Sequence, residues 1–202
     1  MKKLLFIILF CIFATSCISY GYSKKLLEDF SMKRLQDGYE VALKAAQDWS
    51  QEAYLESVFG IYRLEGGQWH LQRGHYIFVD RTRMQYIGVT LDIKRRRLIV
   101  EPPGRVGGKG GFVTTSHFDL EGNPLDDRSA LSEALRLLPA ECEVQEATII
   151  GCGYIDQSWW VKFTNPRKGL LSPIFLPTIF VDAITGEVKL SSGWKEGIWC
   201  RP

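Results

Sequence analysis

The stretch Phe180-Val181-Asp182-Ala183-Ile184-Thr185-Gly186-Glu187-Val188 joins two short apolar runs, 178–181 and 187–190, which read as strands on either side of a break. Working back from it, 159–163 and 144–150 have the same strand character. Ahead of them Ala130, Leu131, Ala134, Leu135 and Leu138 fall at helical spacing. Asp126 or Asp127 can cap that helix, and Pro139 stops it. Further upstream, 54–64, 69–79, 86–91 and 98–100 read as strands, separated by Gly66-Gly67, Arg81-Thr82-Arg83 and the basic run Lys94-Arg95-Arg96-Arg97. Residues 24–49 read as a helix, because Leu26, Leu27, Phe30, Leu35, Tyr39, Ala42, Leu43, Ala46 and Trp49 mostly follow three-and-four spacing.

The two halves can be laid over one another. Trp69-His70-Leu71 stands 90 residues before Trp159-Trp160-Val161, Leu91-Asp92 stands 90 before Val181-Asp182, and Ala42-Leu43 stands 88 before Ala130-Leu131. Near-constant spacing of three elements points to an internal duplication. A competing register exists, since Ile77-Phe78-Val79-Asp80 is identical to Ile179-Phe180-Val181-Asp182, but it requires an extra hairpin.

The 180–188 stretch resembles the closing hairpin of a PepSY domain, in which an Asp begins a tight turn, a Gly takes the positive-φ position and a short strand follows. Helix, strand and aromatic strand before that hairpin are also in PepSY order. In the first half the matching turn reads Asp92-Ile93-Lys94-Arg95-Arg96-Arg97-Leu98, with Arg96 in place of Gly. The resemblance implies an α+β protein of two PepSY-like units, each one helix packed on an antiparallel sheet, without a catalytic centre of its own. The expected organisation is a signal peptide over 1–16, an anchor and the start of the N-terminal helix over 17–37, and a first unit over 38–101. A Gly/Pro-rich linker over 102–126, a second unit over 127–190 and a tail over 191–202 follow.

The N-terminus reads as an address. Lys2 and Lys3 precede an apolar run over 4–13, too short to span a bilayer and suited to an export signal. Ala14-Thr15-Ser16-Cys17 then resembles a bacterial lipobox, with Cys17 as the lipidated residue and Ala14 where Leu is commoner. Ile18, following that cysteine, implies by the same resemblance the periplasmic face of the outer membrane. A triacylated Cys17 anchors the chain by its lipid and leaves the rest soluble.

At 202 residues and 46% apolar, the chain can build a real core and is excluded from the disordered class. Losing residues 1–16 removes two lysines and leaves 23 basic against 23 acidic residues, so no basic excess remains for nucleic acid. Cys142, Cys152 and Cys200 remain after Cys11 leaves and Cys17 is lipidated, which allows one internal disulfide. If 142–152 is a strand its ends lie ~30 Å apart, so Cys200 pairs with Cys152 or with Cys142; the Cys152–Cys200 pairing is the expectation carried forward.

Nothing in the chain assembles catalytic chemistry. Around Lys109 a phosphate loop fails at Pro103 and Gly110. There is no CxxC, no GxSxG and no HExxH, and His70, His75 and His117 are not at ligand spacing, so no metal, cofactor or catalytic residue is expected. The basic run 94–97 reads as a solvated turn or as a patch for anionic lipid or an acidic partner. The segment 165–177 reads as a loop. Its Leu170, Leu171, Ile174, Phe175 and Leu176 either fold back on the core or meet a partner. The expected function is non-catalytic binding of a protein partner in the envelope, in a specific form as inhibitor or immunity-type partner of a peptidase or other hydrolase. The rival is a small-ligand carrier or enzyme with a pocket between helix and sheet lined by His70, His75 or His117.

Overall fold

The computed structural model describes residues 21–26, 28–82, 84–106, 117–138, 142–153, 157–165, 174–175 and 178–190; of residues 165, 174 and 175 only the backbone is described. In chain order the elements are β1 (Tyr22–Lys25), α1 (Gln36–Gln47), β2 (Tyr54–Glu65), β3 (Gln68–Asp80), β4 (Gln85–Asp92), β5 (Arg97–Val100) and β6 (Gly104–Arg105). Then come α2 (Asp127–Arg136), β7 (Glu146–Cys152), β8 (Ser158–Asn165), β9 (Ile174–Phe175), β10 (Ile179–Asp182) and β11 (Val188–Leu190).

The two-unit expectation is overturned. All the strands form one 11-stranded sheet in the order β1-β5-β4-β3-β2-β7-β8-β10-β11, with β6 on β4 and β9 on β8. The joint is β2 against β7, where Ser57 to Arg63 run antiparallel to Cys152 to Glu146. Two strands that would have been the edges of separate sheets are hydrogen-bonded to each other. Among the described residues two helices, of 12 and 10 residues, accompany this sheet, so it is not a pair of helix-on-sheet units.

Both helices lie on one face. Across the sheet a register row runs Val100, Val89, Tyr76, Val58, Gly151, Trp159, Val181, Val188. Its side chains from Val100 to Val181 are buried beneath the helices. Two residues along lies a second helix-side row containing Leu91, Gly74, Gly60 and Ile149. Gly60 and Gly74 are paired, and a Cβ on either would lie 3.1–3.2 Å from Leu35 Cδ2. The missing side chains make the hollow that Leu35 fills, and Leu35 is fully buried there. At Gly38 the close approach is tighter: a Cβ would sit 2.6 Å from Leu91 Cδ1 and 2.6 Å from the Tyr76 hydroxyl, so only Gly lets α1 lie this near the sheet.

The expected helix over 24–49 starts instead at Gln36. Tyr22–Lys25 pairs with β5 as an edge strand, and Leu26 N–H donates to Arg96 C=O, so cross-strand pairing overrides the apolar spacing. Leu26 and Met32 are buried nonetheless. The expected linker over 102–126 also carries structure. Gly104–Arg105 pairs with β4, and Phe118 and Leu120 are buried, with Phe118 edge-on to Trp159 at 4.9 Å over Gly151.

The turns at Asp92 and Asp182 share an Asp acceptor and a positive φ four residues on, although their backbone bonds differ: Arg96 N–H donates to Ile93 C=O and Gly186 N–H to Asp182 C=O. Asp92 Oδ1 accepts from Arg95 N–H at 2.9 Å, and Asp182 Oδ1 accepts from Ile184 and Thr185 N–H at 2.9 and 2.7 Å. Arg96 takes φ +53 where Gly186 takes φ +75, so an arginine occupies the left-handed position that the second turn gives to glycine.

A candidate binding face and a buried carboxylate

Between the two helix-side rows lies a third, whose side chains point the other way because strand side chains alternate. It runs Ile99, Thr90, His75, Phe59, Ile150, Trp160, Phe180 to Lys189, from β5 across the sheet to β11. No described helix covers this face. Phe59, His75, Ile150, Trp160 and Phe180 are half-buried on it. Phe59 stacks on the His75 ring at 4.4 Å, and Trp160 meets Phe180 edge-on at 5.4 Å. Trp160 is fixed further by its indole N–H, which donates to Ser158 Oγ at 3.0 Å. The His75 Nδ1 and Thr90 Oγ1 are 2.7 Å apart. Burial lowers the His75 pKa, Glu101 opposes the shift and Arg73 adds to it, so at neutral pH the ring is an uncharged member of the row.

The helix side holds a buried carboxylate. Asp127 opens α2, is fully buried, and accepts the Leu35 N–H at 3.1 Å together with the Tyr62 hydroxyl. Its other oxygen, Oδ1, has no hydrogen-bond partner among the described residues. Burial raises its pKa to about 6, against the lowering effect of the Tyr62 and Leu35 hydrogen bonds. Burial and the nearby Asp127 charge push Tyr62 far up, so the phenol remains the donor. One side chain thus ties the start of α2 to the start of α1 and to β2. Next to it Asp126 caps α2 through Ser129 N–H at 2.7 Å and pairs with Arg34 at 3.4 Å.

The sequence-derived candidates are dispersed. Cys17, Cys200, Leu170, Leu171 and Leu176 lie outside the described residues. Ile174 and Phe175 pair with Asn165 and Thr164 as a short strand within the segment expected to be a loop. Cys142 is disulfide-bonded, whereas the expected Cys152–Cys200 pairing involves a residue outside those described. The three histidines do not converge. His75 lies on the open face, His117 Nδ1 is 2.8 Å from Leu55 C=O, and His70 lines a separate cavity at one end of the sheet. Among the described residues no three His, Cys, Asp or Glu are grouped as metal ligands.

Two features escaped the sequence reading. The open face was signalled by apolar residues on both parities, as in Val58-Phe59-Gly60-Ile61 and Ile149-Ile150; a strand with one solvated face alternates instead. The fate of Asp127 had no local signal, since Asp126 and Asp127 are equally good caps and only tertiary contact separates them.

No protein-family model matches the chain, PepSY included, and no curated protein matches it. Among solved structures, a candidate lipoprotein of Clostridium difficile 630 is similar, at 12% identity over 83% of this chain and 98% of that one, with a TM-score of 0.45. A likeness of that size supports no inference about fold or function.

Proposed function

We propose that this is a lipid-anchored protein of the cell envelope that binds a protein partner without catalysis, and that the uncovered sheet face is its contact surface. The row Phe59, Ile150, Trp160, Phe180 carries the reading: an aromatic strip, pre-packed by ring contacts, running across a face that no described helix covers. Rigid aromatic side chains give up little entropy on binding and dominate interface hot spots. Lipid anchoring rests on the sequence alone, on Lys2-Lys3, the apolar run over 4–13 and Ala14-Thr15-Ser16-Cys17. The inhibitor form rests on the PepSY resemblance, which no family model supports.

The test is site-specific photocrosslinking in the native envelope. A benzophenone side chain at position 160 should give a discrete adduct, and one at the helix-side position 133 should give none. Trp160→Asp with Phe180→Asp should abolish partner recovery without altering the fold. Equal adducts at both positions, or no adduct at 160, would overturn the reading. Cys17→Ala should release the protein from the membrane fraction; unchanged sedimentation would reject the anchor.

A further inference from the structure

A cavity of about 630 Å³ opens at the end of the sheet where the β2–β3 hairpin, the β4–β5 turn, the chain before α1 and the first turn of α2 meet. That volume is in the range of sites for small organic ligands. Three cations from three separate parts of the chain line it: Lys33, Lys94 and Arg128. None of them has an ion-pair partner among the described residues. Elsewhere Arg34, Arg63, Arg73, Arg95 and Arg136 each lie 2.8–3.8 Å from a carboxylate oxygen. Leaving three cations around one cavity unneutralised sets up a positive potential there, which concave walls focus. Glu65 is the one carboxylate in the lining, so the lining has a net charge of +2.

The walls are not merely polar. Leu71 is buried and Trp69 half-buried, and the Trp69 ring is steadied by Phe163 at 6.4 Å. This offers a fixed flat surface beside the cations.

We propose that the cavity binds a phosphomonoester attached to a flat or ring-shaped body, with Lys33, Lys94 and Arg128 holding the phosphate and Trp69 the body. A phosphomonoester carries about −1.5 to −2 at neutral pH, which balances the lining. The Arg128 guanidinium supplies the fork that phosphate oxygens accept. This site is distinct from the aromatic row and stands or falls independently of it.

Calorimetry on the full chain in detergent tests it with four probes: 4-nitrophenyl phosphate, 4-nitrophenol, inorganic phosphate and soluble dihexanoyl phosphatidic acid. Nitrophenyl phosphate should bind, more weakly in high salt, and nitrophenol should not. Lys33→Gln, Lys94→Gln and Arg128→Gln should each weaken it about tenfold. All three residues are exposed, and an unchanged melting temperature verifies that the fold is kept. Trp69→Ala should weaken nitrophenyl phosphate and leave inorganic phosphate unchanged, which separates stacking from charge. Binding of phosphatidic acid without nitrophenyl phosphate would overturn the flat body and leave a lipid phosphate as the ligand. Absence of binding by every probe at millimolar concentration, or wild-type affinity in the triple Gln variant, would overturn the site.

Discussion

A carboxylate kept out of water is an expensive residue, and Asp127 is fully buried with one oxygen unpartnered among the described residues. Its pKa rises from 3.8 to about 6 on folding. Between those values the unfolded chain is ionised at this position and the folded chain is not. Stability therefore falls as pH rises from 4 to 6, by about 3 kcal/mol, and is flat above. His75 contributes the opposite slope: its folded pKa is depressed, so stability is lost as pH drops below about 6.5. Asp127→Asn keeps an acceptor for Tyr62 and Leu35 and removes the ionisation. Urea denaturation at pH 4.5 and pH 7 should find the variant more stable relative to wild type at the higher pH. A difference that does not change with pH would show that Asp127 titrates normally. Neither the pairing of Asp127 with Tyr62 nor its burial was legible locally, because the partner is 65 residues away.

Strands and their boundaries were largely legible. The reading of 54–64, 69–79, 86–91 and 98–100 falls within the observed β2 to β5 or matches it, because Gly66-Gly67 and the Asp92 turn mark their ends chemically. The N-terminal segment was misread because Lys24 and Lys25, inside the expected helix, pair with β5 and Leu26 N–H donates to Arg96 C=O, a partner about 70 residues away that the apolar spacing does not announce. α1 shows the reverse case, in which packing sets the residue. Gly38 lies in the first turn of α1, where Ala is still the better helix former. Gly38→Ala should nevertheless destabilise by about 2 kcal/mol, since its Cβ would collide with Leu91 and Tyr76 and lift the helix. Thermal or urea unfolding measures this directly; a stabilised variant would mean that α1 shifts freely over the sheet.

At the level of the molecule, one sheet with both helices on the same side gives a plate with two unlike faces. Its outer strands are poor templates for further pairing, since β1 carries Lys24 and Lys25, and β11 is three residues long with Lys189 at its centre. A continuous sheet also predicts one cooperative unfolding event. Tryptophan fluorescence and far-ultraviolet circular dichroism should give coincident denaturant midpoints, where two independent units would give two. The β2–β7 joint could not be read from the sequence, since no local signal names a partner strand 83–95 residues away. The β2–β7 joint also orders events in time. β7 follows its partner by 83–95 residues, so a chain made at about 5–20 residues per second holds a long apolar strand edge open for roughly 4–19 s. Until β7 docks, the first half is a ready substrate for a chaperone or for the same edge of a neighbouring chain.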